Sequence, residues 1–263
     1  MVFYKGGRNL NFLTAACSDV GIKKKVNEDS YCIKVAESIK GNVILAVVCD
    51  GMGGLSRGEL ASATVVREFS KWFERELPKN IVNFHPEKIR SSFYDIIQNL
   101  NNRIGEYGRN NGVMLGTTLT ATLVIDGFII TAQVGDSRLY EIDNKLKQVT
   151  EDQTLVQREV NIGRITKEEA KVDARKNILL QCIGASKIVE PAFIIEKVKK
   201  DCTYMICSDG FRHLISEDEL FNSLNPKNLI NEEIMLSKAK ELVELNKSRK
   251  ETDNITTIII KTY

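Results

Sequence analysis

The stretch ILAVVCDGMGGLSRGE, Ile44 to Glu59, decides how the chain is read. Its apolar run, Ile44 to Cys49, has the length and composition of a buried strand. The run stops on Asp50, and Gly51, Met52, Gly53 and Gly54 follow, which reads as a glycine turn. A packed strand that delivers a carboxylate into a turn gains nothing in stability. The same pattern recurs further along the chain.

Working outward, strand-like runs are Phe12–Cys17, Ser30–Val35, Val43–Cys49, Thr117–Ile125, Phe128–Val134, Leu139–Ile142, Ala192–Lys197, Thr203–Cys207 and Asn254–Ile260. The Asp126-Gly127 pair between two of them reads as a tight hairpin, and Asp143-Asn144 as another turn. Hairpins argue for antiparallel sheets. Two helices interrupt the strands. Val65, Phe69, Trp72, Phe73 and Leu77 fall on one face of the first. Ile89, Phe93, Ile96, Ile97, Leu100, Ile104 and Tyr107 fall on one face of the second. These aromatic stripes read as core. A third helix is expected over Leu229–Leu245. Two antiparallel sheets flanked by helices, an α–β–β–α sandwich of the α+β class, bury all of these faces. The charged stretch from Thr150 to Gly184 holds only short helical pieces. It reads as a surface flap on a single domain spanning 1–263.

Composition sets limits. A chain of 263 residues with 43 % hydrophobic and 27 % charged residues has the makeup of a globular protein with a large core. A net charge of +2 gives no reason to expect nucleic acid or an anionic membrane as partner. No stretch is long and apolar enough to span a bilayer, and the N-terminal residues lack a signal-peptide core. The six cysteines have no CxxC spacing and read as buried reduced thiols, which fits a reducing cytoplasm. No apolar stripe argues for a dimer, so a monomer is expected.

The carboxylates at strand ends carry the chemistry. Glu28 and Asp29 precede one strand, Asp50 follows another, and Asp136 lies between two. Asp209 follows a fourth, again before Gly, and Asp253 precedes the last. Each alone is ordinary turn chemistry. Gathered at one rim they would repel each other and raise each other's pKa values, which a fold tolerates when cations sit between them. Oxygen ligands without His or Cys select Mg²⁺ or Mn²⁺ over zinc. Two such ions about 3.5–4 Å apart are a recurrent device for phosphate-ester hydrolysis.

The segments SDVGIKKKVNEDS, VVCDGMGG, LGTTLTATLV, VGDSRLY, ICSDGF and TDNITTIII occur in that order. Together they resemble the metal-dependent protein phosphatases, the type 2C serine/threonine phosphatases, over about Thr14 to Lys261. Met52 after the first Gly and the segment Thr150–Ala170 are similar to the bacterial branch and its flap. The resemblance implies two core Mn²⁺ or Mg²⁺ ions bridged by Asp50. It implies that the Gly51 carbonyl and Glu28 complete one ion, and Asp209 and Asp253 the other. A third ion would lie on Asp136 and Asp209, and Asp29 would orient the shell around Glu28. The implied reaction is in-line attack of a metal-bound hydroxide on phosphoserine or phosphothreonine, with no phosphoenzyme. The implied partners are phosphoprotein substrates and a serine/threonine kinase.

Two positions depart from the family pattern. Lys24 stands where the family has an Arg that grips the substrate phosphate. It keeps the charge and loses the bidentate fork. Met52 cannot serve as general acid where some members have His. His213 reads as a surface or structural residue. Other phosphatase and nucleotide chemistries lack their residues here. No cysteine has an Arg six positions on, GxxxxGK[ST] is absent, and Ser56 stands where a dinucleotide loop has its third glycine. The alternatives left open are a pseudophosphatase that binds phosphoproteins without hydrolysing them, suggested by Lys24, and a small phosphoester substrate.

Overall fold

Val43–Cys49 lies in the middle of the computed structural model, which describes residues 10–52 and 57–263. The run is buried on both faces. Successive strand side chains point to opposite faces. Val43, Leu45, Val47 and Cys49 pack with Val65, Phe69, Phe93 and Ile97 of two helices. Ile44, Ala46 and Val48 pack instead against Tyr204, Ile206, Ile258 and Ile260 of a second sheet. A strand covered on both sides has no polar face to show, which is why Ile44–Cys49 reads as a continuous apolar run.

In chain order the elements are β1 (Phe12–Asp19), β2 (Asp29–Ser38), β3 (Gly41–Met52), α1 (Gly58–Arg75), α2 (Leu77–Asn80), α3 (Pro86–Asn111), β4 (Gly116–Thr117), β5 (Leu119–Ile125), β6 (Phe128–Val134), β7 (Arg138–Ile142) and β8 (Leu146–Gln148). They continue with α4 (Leu155–Asn161), α5 (Lys167–Val172), β9 (Ala192–Lys197), β10 (Cys202–Cys207), α6 (Asp209–Arg212), α7 (Glu217–Leu224), α8 (Glu232–Ser248) and β11 (Ile255–Thr262). One sheet has the order β1-β11-β10-β7-β8. The other has β2-β3-β5-β6-β9, with β4 paired to β3. All pairings are antiparallel. On the outer face of the first sheet, Met205, Cys207, Ile255 and Ile259 pack with Leu220, Met235, Ala239 and Leu242. Three apolar interfaces therefore separate four layers, the expected α–β–β–α sandwich.

The helices start and stop where local chemistry dictates. Pro86 opens α3, the His85 side chain accepts from the Glu87 N–H at 3.3 Å, and Gly112 ends the helix with φ 63°. Asn231 caps α8 by accepting from the Ile234 N–H at 2.8 Å. The aromatic stripe is core: Phe93 stacks edge-on against Phe69 and Trp72, with centroids 5.1 and 4.9 Å apart. Asp126 and Gly127 both take positive φ, as a two-residue hairpin requires.

Several boundaries differ from the sequence reading. The strand through Val43–Cys49 does not stop at a turn on Asp50. It continues through Gly51 and Met52, because those residues pair with Thr117 and Gly116 of β4. Asp29 is the first residue of β2, directly opposite Asp50, and does not merely precede the strand. The expected strand Thr117–Ile125 is broken at Thr118 into β4 and β5. Leu77 falls in α2, beyond the end of α1. The helix expected over Leu229–Leu245 runs from Glu232 to Ser248, because Asn231 supplies its cap. The glycine-turn reading of Gly53 and Gly54, and the place of Ser56, lie outside the described residues.

Phe93 is fully buried and Tyr94 is half-exposed. Phe93→Ala is expected to cost about 3–4 kcal/mol, and Tyr94→Ala less than about 0.5 kcal/mol. Urea denaturation at fixed divalent-ion concentration measures both.

Candidate metal centre

Antiparallel pairing brings the strand ends together. The start of β2 pairs with the end of β3, so Asp29 faces Asp50 across the ladder. The β6–β7 connection carries Asp136, the end of β10 runs into Asp209, and Asp253 precedes β11. All of these lie at one rim of the sandwich, with Lys24 and Glu28 on the β1–β2 connection beside them.

Short hydrogen bonds fix this rim. Thr118 accepts from the Asp50 N–H at 2.9 Å through Oγ1, and its own N–H donates to the Asp50 carbonyl at 2.9 Å. The Thr117 hydroxyl donates to the same carbonyl at 2.9 Å. Thr118 Oγ1 is also 2.8 Å from Ser137 Oγ, next to Asp136. The Gly51 N–H donates to the Glu28 carbonyl at 3.1 Å. Glu28 Oε1 accepts from the Gly58 N–H at 3.2 Å. Asn254 acts as a rivet: its Oδ1 accepts from the Glu28 N–H at 2.9 Å, and its Nδ2 donates to the carbonyls of Val20 and Val26 at 2.9 and 3.2 Å. Gly135 reaches φ 96°, and a side chain there would strike Thr118, so only glycine aims Asp136 this way.

The electrostatics are those of crowded carboxylates. Burial first, then Asp29, Asp209, Asp136 and Asp253, push Asp50 well above the usual carboxylate range. Burial carries Asp29 up to about 7, against hydrogen bonds from Thr256 and Ser208 that favour its charge. Asp136 is pushed up to about 7 by burial and by Asp209, with Arg212 pulling the other way. On the open side, Lys24 Nζ is 3.0 Å from Asp253 Oδ1 and 3.7 Å from Glu28 Oε2. Burial opposes its charge, yet Asp253, Glu28 and Asp50 together hold the ammonium above the ordinary lysine range.

The residues present fit divalent cations. Asp29 Oδ1 and Asp209 Oδ1 are buried and accept no hydrogen bond. Unsatisfied buried carboxylate oxygens call for a partner of opposite charge. A Cβ on Gly51 would collide with the carbonyls of Gly58 and Glu28, so the backbone is packed where only glycine fits. The donor set is hard oxygen, the kind that suits Mg²⁺ or Mn²⁺. Among the described residues, no three acidic, His or Cys side chains close on one point.

All eight residues singled out in the sequence are thus at or beside one rim: Lys24, Glu28, Asp29, Asp50, Gly51, Asp136, Asp209 and Asp253. Sequence reasoning missed their supports. His213, read as surface or structural, has the structural place. Its side chain is 18 % exposed, with Nε2 3.4 Å from Asp209 Oδ2 and Nδ1 3.6 Å from Glu251 Oε2. Asn254, Thr118 and Ser208 were visible only as members of motifs. Arg138, Asp152 and Arg212 form a buried ionic cluster behind Asp136 that no local pattern announces.

The chain matches the family described as Protein phosphatase 2C over residues 22–247. Serine/threonine phosphatase stp of Listeria monocytogenes is 33 % identical over 228 residues, covering 84 % of this chain and 86 % of that one. Protein phosphatase PhpP of Streptococcus pneumoniae is 30 % identical over 247 residues, covering 92 % and 94 %. The crystal structure of serine/threonine phosphatase Stp1 from Staphylococcus aureus superposes with a TM-score of 0.83 at 28 % identity, covering 99 % and 98 %. The catalytic domain of PstP, solved in complex with two manganese ions, superposes at 0.77 with 27 % identity, covering 96 % and 99 %.

The pH dependence of chelated protein follows from the carboxylates. A carboxyl with a raised pKa keeps its proton in the folded chain at a pH where the unfolded chain has released it. Release of the proton therefore favours the unfolded chain as pH rises from about 4 to about 7, so stability falls over that window and then levels. Asp50→Asn removes a charge from the crowd. Without metal it is expected to melt above wild type at pH 8, with the gap closing toward pH 4. Thermal melts in chelator across that range measure this.

Proposed function

This chain belongs to the protein phosphatase 2C family, and from that premise we propose that its acidic rim holds two divalent cations, Mn²⁺ or Mg²⁺, for hydrolysis of phosphoserine and phosphothreonine in proteins. The observation that carries the reading is Asp50, ringed by four other carboxylates on a rigid strand end. Asp50 would bridge the two ions, the Gly51 carbonyl and Glu28 would serve one, and Asp209 and Asp253 the other. Asp136 with Asp209 is the pair that a third ion would need. When bound, the ions supply Lewis-acid activation of the attacking water and neutralise the phosphoryl charge.

The chain's own residues do the rest. Lys24 presents its ammonium at the edge of the rim on a side chain that is 40 % exposed, where it can bind a phosphoryl oxygen. Asp29 accepts from the Ser208 hydroxyl at 2.9 Å and so ties the start of β2 to the end of β10, holding Glu28 and Asp209 in register. Thr117, Thr118 and Asn254 keep Asp50 and Glu28 from relaxing away from each other. Met52 has no proton to give, so the departing seryl or threonyl oxygen takes its proton from water or from another group at the rim. Oxygen from water adds to phosphorus as the ester oxygen leaves in line. The products are the free hydroxyl and inorganic phosphate.

A single sandwich domain with residues 150–184 as a flap beside the rim is the organisation we adopt. Protein substrates imply kinases that place the phosphates, hence a role in signalling. All six cysteines are free, which fits a reducing compartment such as the cytoplasm. Among the described residues, no helix is long and apolar enough to cross a membrane.

Asp50→Asn is expected to abolish metal-dependent hydrolysis of a phosphothreonine peptide while leaving the circular dichroism spectrum unchanged. Near-normal turnover with unchanged metal binding would overturn the assignment. Lys24→Met is expected to lower kcat/KM by about tenfold, and Lys24→Arg to raise it, since an Arg fork grips phosphate with two bonds. Steady-state assays with Mn²⁺, Mg²⁺ and chelator check both. A Lys24→Arg chain that turns over substrate beside an inactive wild type would instead favour the binding-only reading of the natural protein.

A further inference from the structure

The ionic cluster behind Asp136 joins two guanidiniums to two carboxylates. Arg138 donates to Asp152 through Nε and Nη2, both at 2.7 Å, and to the Tyr140 hydroxyl through Nη1 at 2.6 Å. Asp152 therefore has a counter-charge of its own. Arg212, the last residue of α6, donates from Nη2 to the Asp136 carbonyl at 3.1 Å. The same nitrogen is 3.5 Å from Asp152 Oδ2 and 3.7 Å from Asp136 Oδ2. The Arg212 side chain is 11 % exposed and that of Asp136 is 9 % exposed. Two guanidiniums thus serve two carboxylates in a closed cluster. One of those carboxylates is the one a third ion would need.

Arg212 cannot leave cheaply or lose its charge. A guanidinium stays protonated at any pH the protein experiences. Its anchor is a backbone carbonyl, which a metal ion does not displace, and its Nε is buried without a partner. That orphaned donor means the Nη contacts alone set the side chain's place. On the other side of the pair, Asp209 has His213 beside it and Asp50 and Asp29 in its field. A divalent ion shared by Asp136 and Asp209 would stand within a few ångströms of a fixed positive charge, with little solvent to screen it.

We propose that Arg212 is a built-in cation of the Asp136–Asp209 pair: it neutralises Asp136 and keeps a third divalent ion off that pair, leaving a two-ion phosphatase. Arg212 is a positioning residue, since it acts through Asp136 and touches no substrate. The inference rests on the two-ion reading of the Asp50 centre and deepens it. At such separations one unit charge changes an ion's affinity by at least about tenfold.

Calorimetric titration of the full chain with Mn²⁺ alone tests this, with thermal melts at each Mn²⁺ concentration as a second readout. Wild type is expected to bind two ions, and Asp136→Asn to give the same isotherm. Arg212→Gln is expected to add a third ion, bound at least about tenfold tighter than any third ion in wild type. Arg212→Lys, which keeps the charge, is expected to titrate as wild type, and Arg212→Gln with Asp136→Asn is expected to lose the third ion again. Loss of an ion from the wild-type isotherm on Asp136→Asn overturns the inference, as does a folded Arg212→Gln chain that titrates as wild type. Should Arg212→Gln fail to fold, Asp136→Asn decides alone. Asp50→Asn separates the two readings. If it abolishes binding while Asp136→Asn removes one ion, only the inference falls. If wild type binds no ion, the two-ion reading falls and takes the inference with it.

Discussion

Mutual repulsion among buried carboxylates is the constraint on which the rest of this structure depends. Asp50 has Asp29, Asp209, Asp136 and Asp253 in its field, and the chain has to hold them there against their own charge. A flexible loop would let them part. The four-layer sandwich does not, because each carboxylate sits within a residue or two of a strand end locked in a sheet. The strands are locked in turn by burial on both faces, as β3 shows most fully. Stability spent on the rim is recovered in three apolar interfaces away from it, the usual relation between a strained site and its scaffold.

Neutral polar groups do the fine positioning. Thr117, Thr118, Ser208 and Asn254 bind backbone and carboxylate atoms of the rim and carry no charge of their own. Their hydrogen bonds set where each carboxylate stands without cancelling the field that makes the rim attractive to cations. Replacing them with basic residues would hold the carboxylates more firmly and blunt that field. Among the described residues, Lys24 and Arg212 stand at the flanks, Lys24 on the open side and Arg212 behind Asp136.

What was legible in the sequence follows from range. The faces of α1 and α3 and the buried strand at Ile44–Cys49 repeat over neighbouring residues, so periodicity exposes them. The carboxylates were legible because each interrupts or borders an apolar run, and because six ordered motifs match a family. The turn read at Asp50-Gly51 failed for the opposite reason. What keeps those residues extended is pairing with Gly116 and Thr117, more than sixty positions away in the chain. The Arg138–Asp152–Arg212 cluster spans 74 positions, and nothing near Arg212 marks it as buried. The sequence left His213 as surface or structural because its partners, Asp209 and Glu251, come from one turn before it and from a loop 38 residues on.

The two flanking cations differ in kind, and the difference follows from where each stands. The Lys24 side chain is 40 % exposed, on a flexible stem, and in the proposed reaction its ammonium would turn from Asp253 toward an arriving phosphate. The same charge would then serve rim and substrate at two moments. Arg212 is 11 % exposed and anchored on a main-chain oxygen. A planar fork held by a carbonyl and two carboxylates in a closed cluster has little freedom to turn. Exposure thus sorts the two roles: the movable charge lies where ligand arrives, and the fixed one lies where an ion has to be kept out.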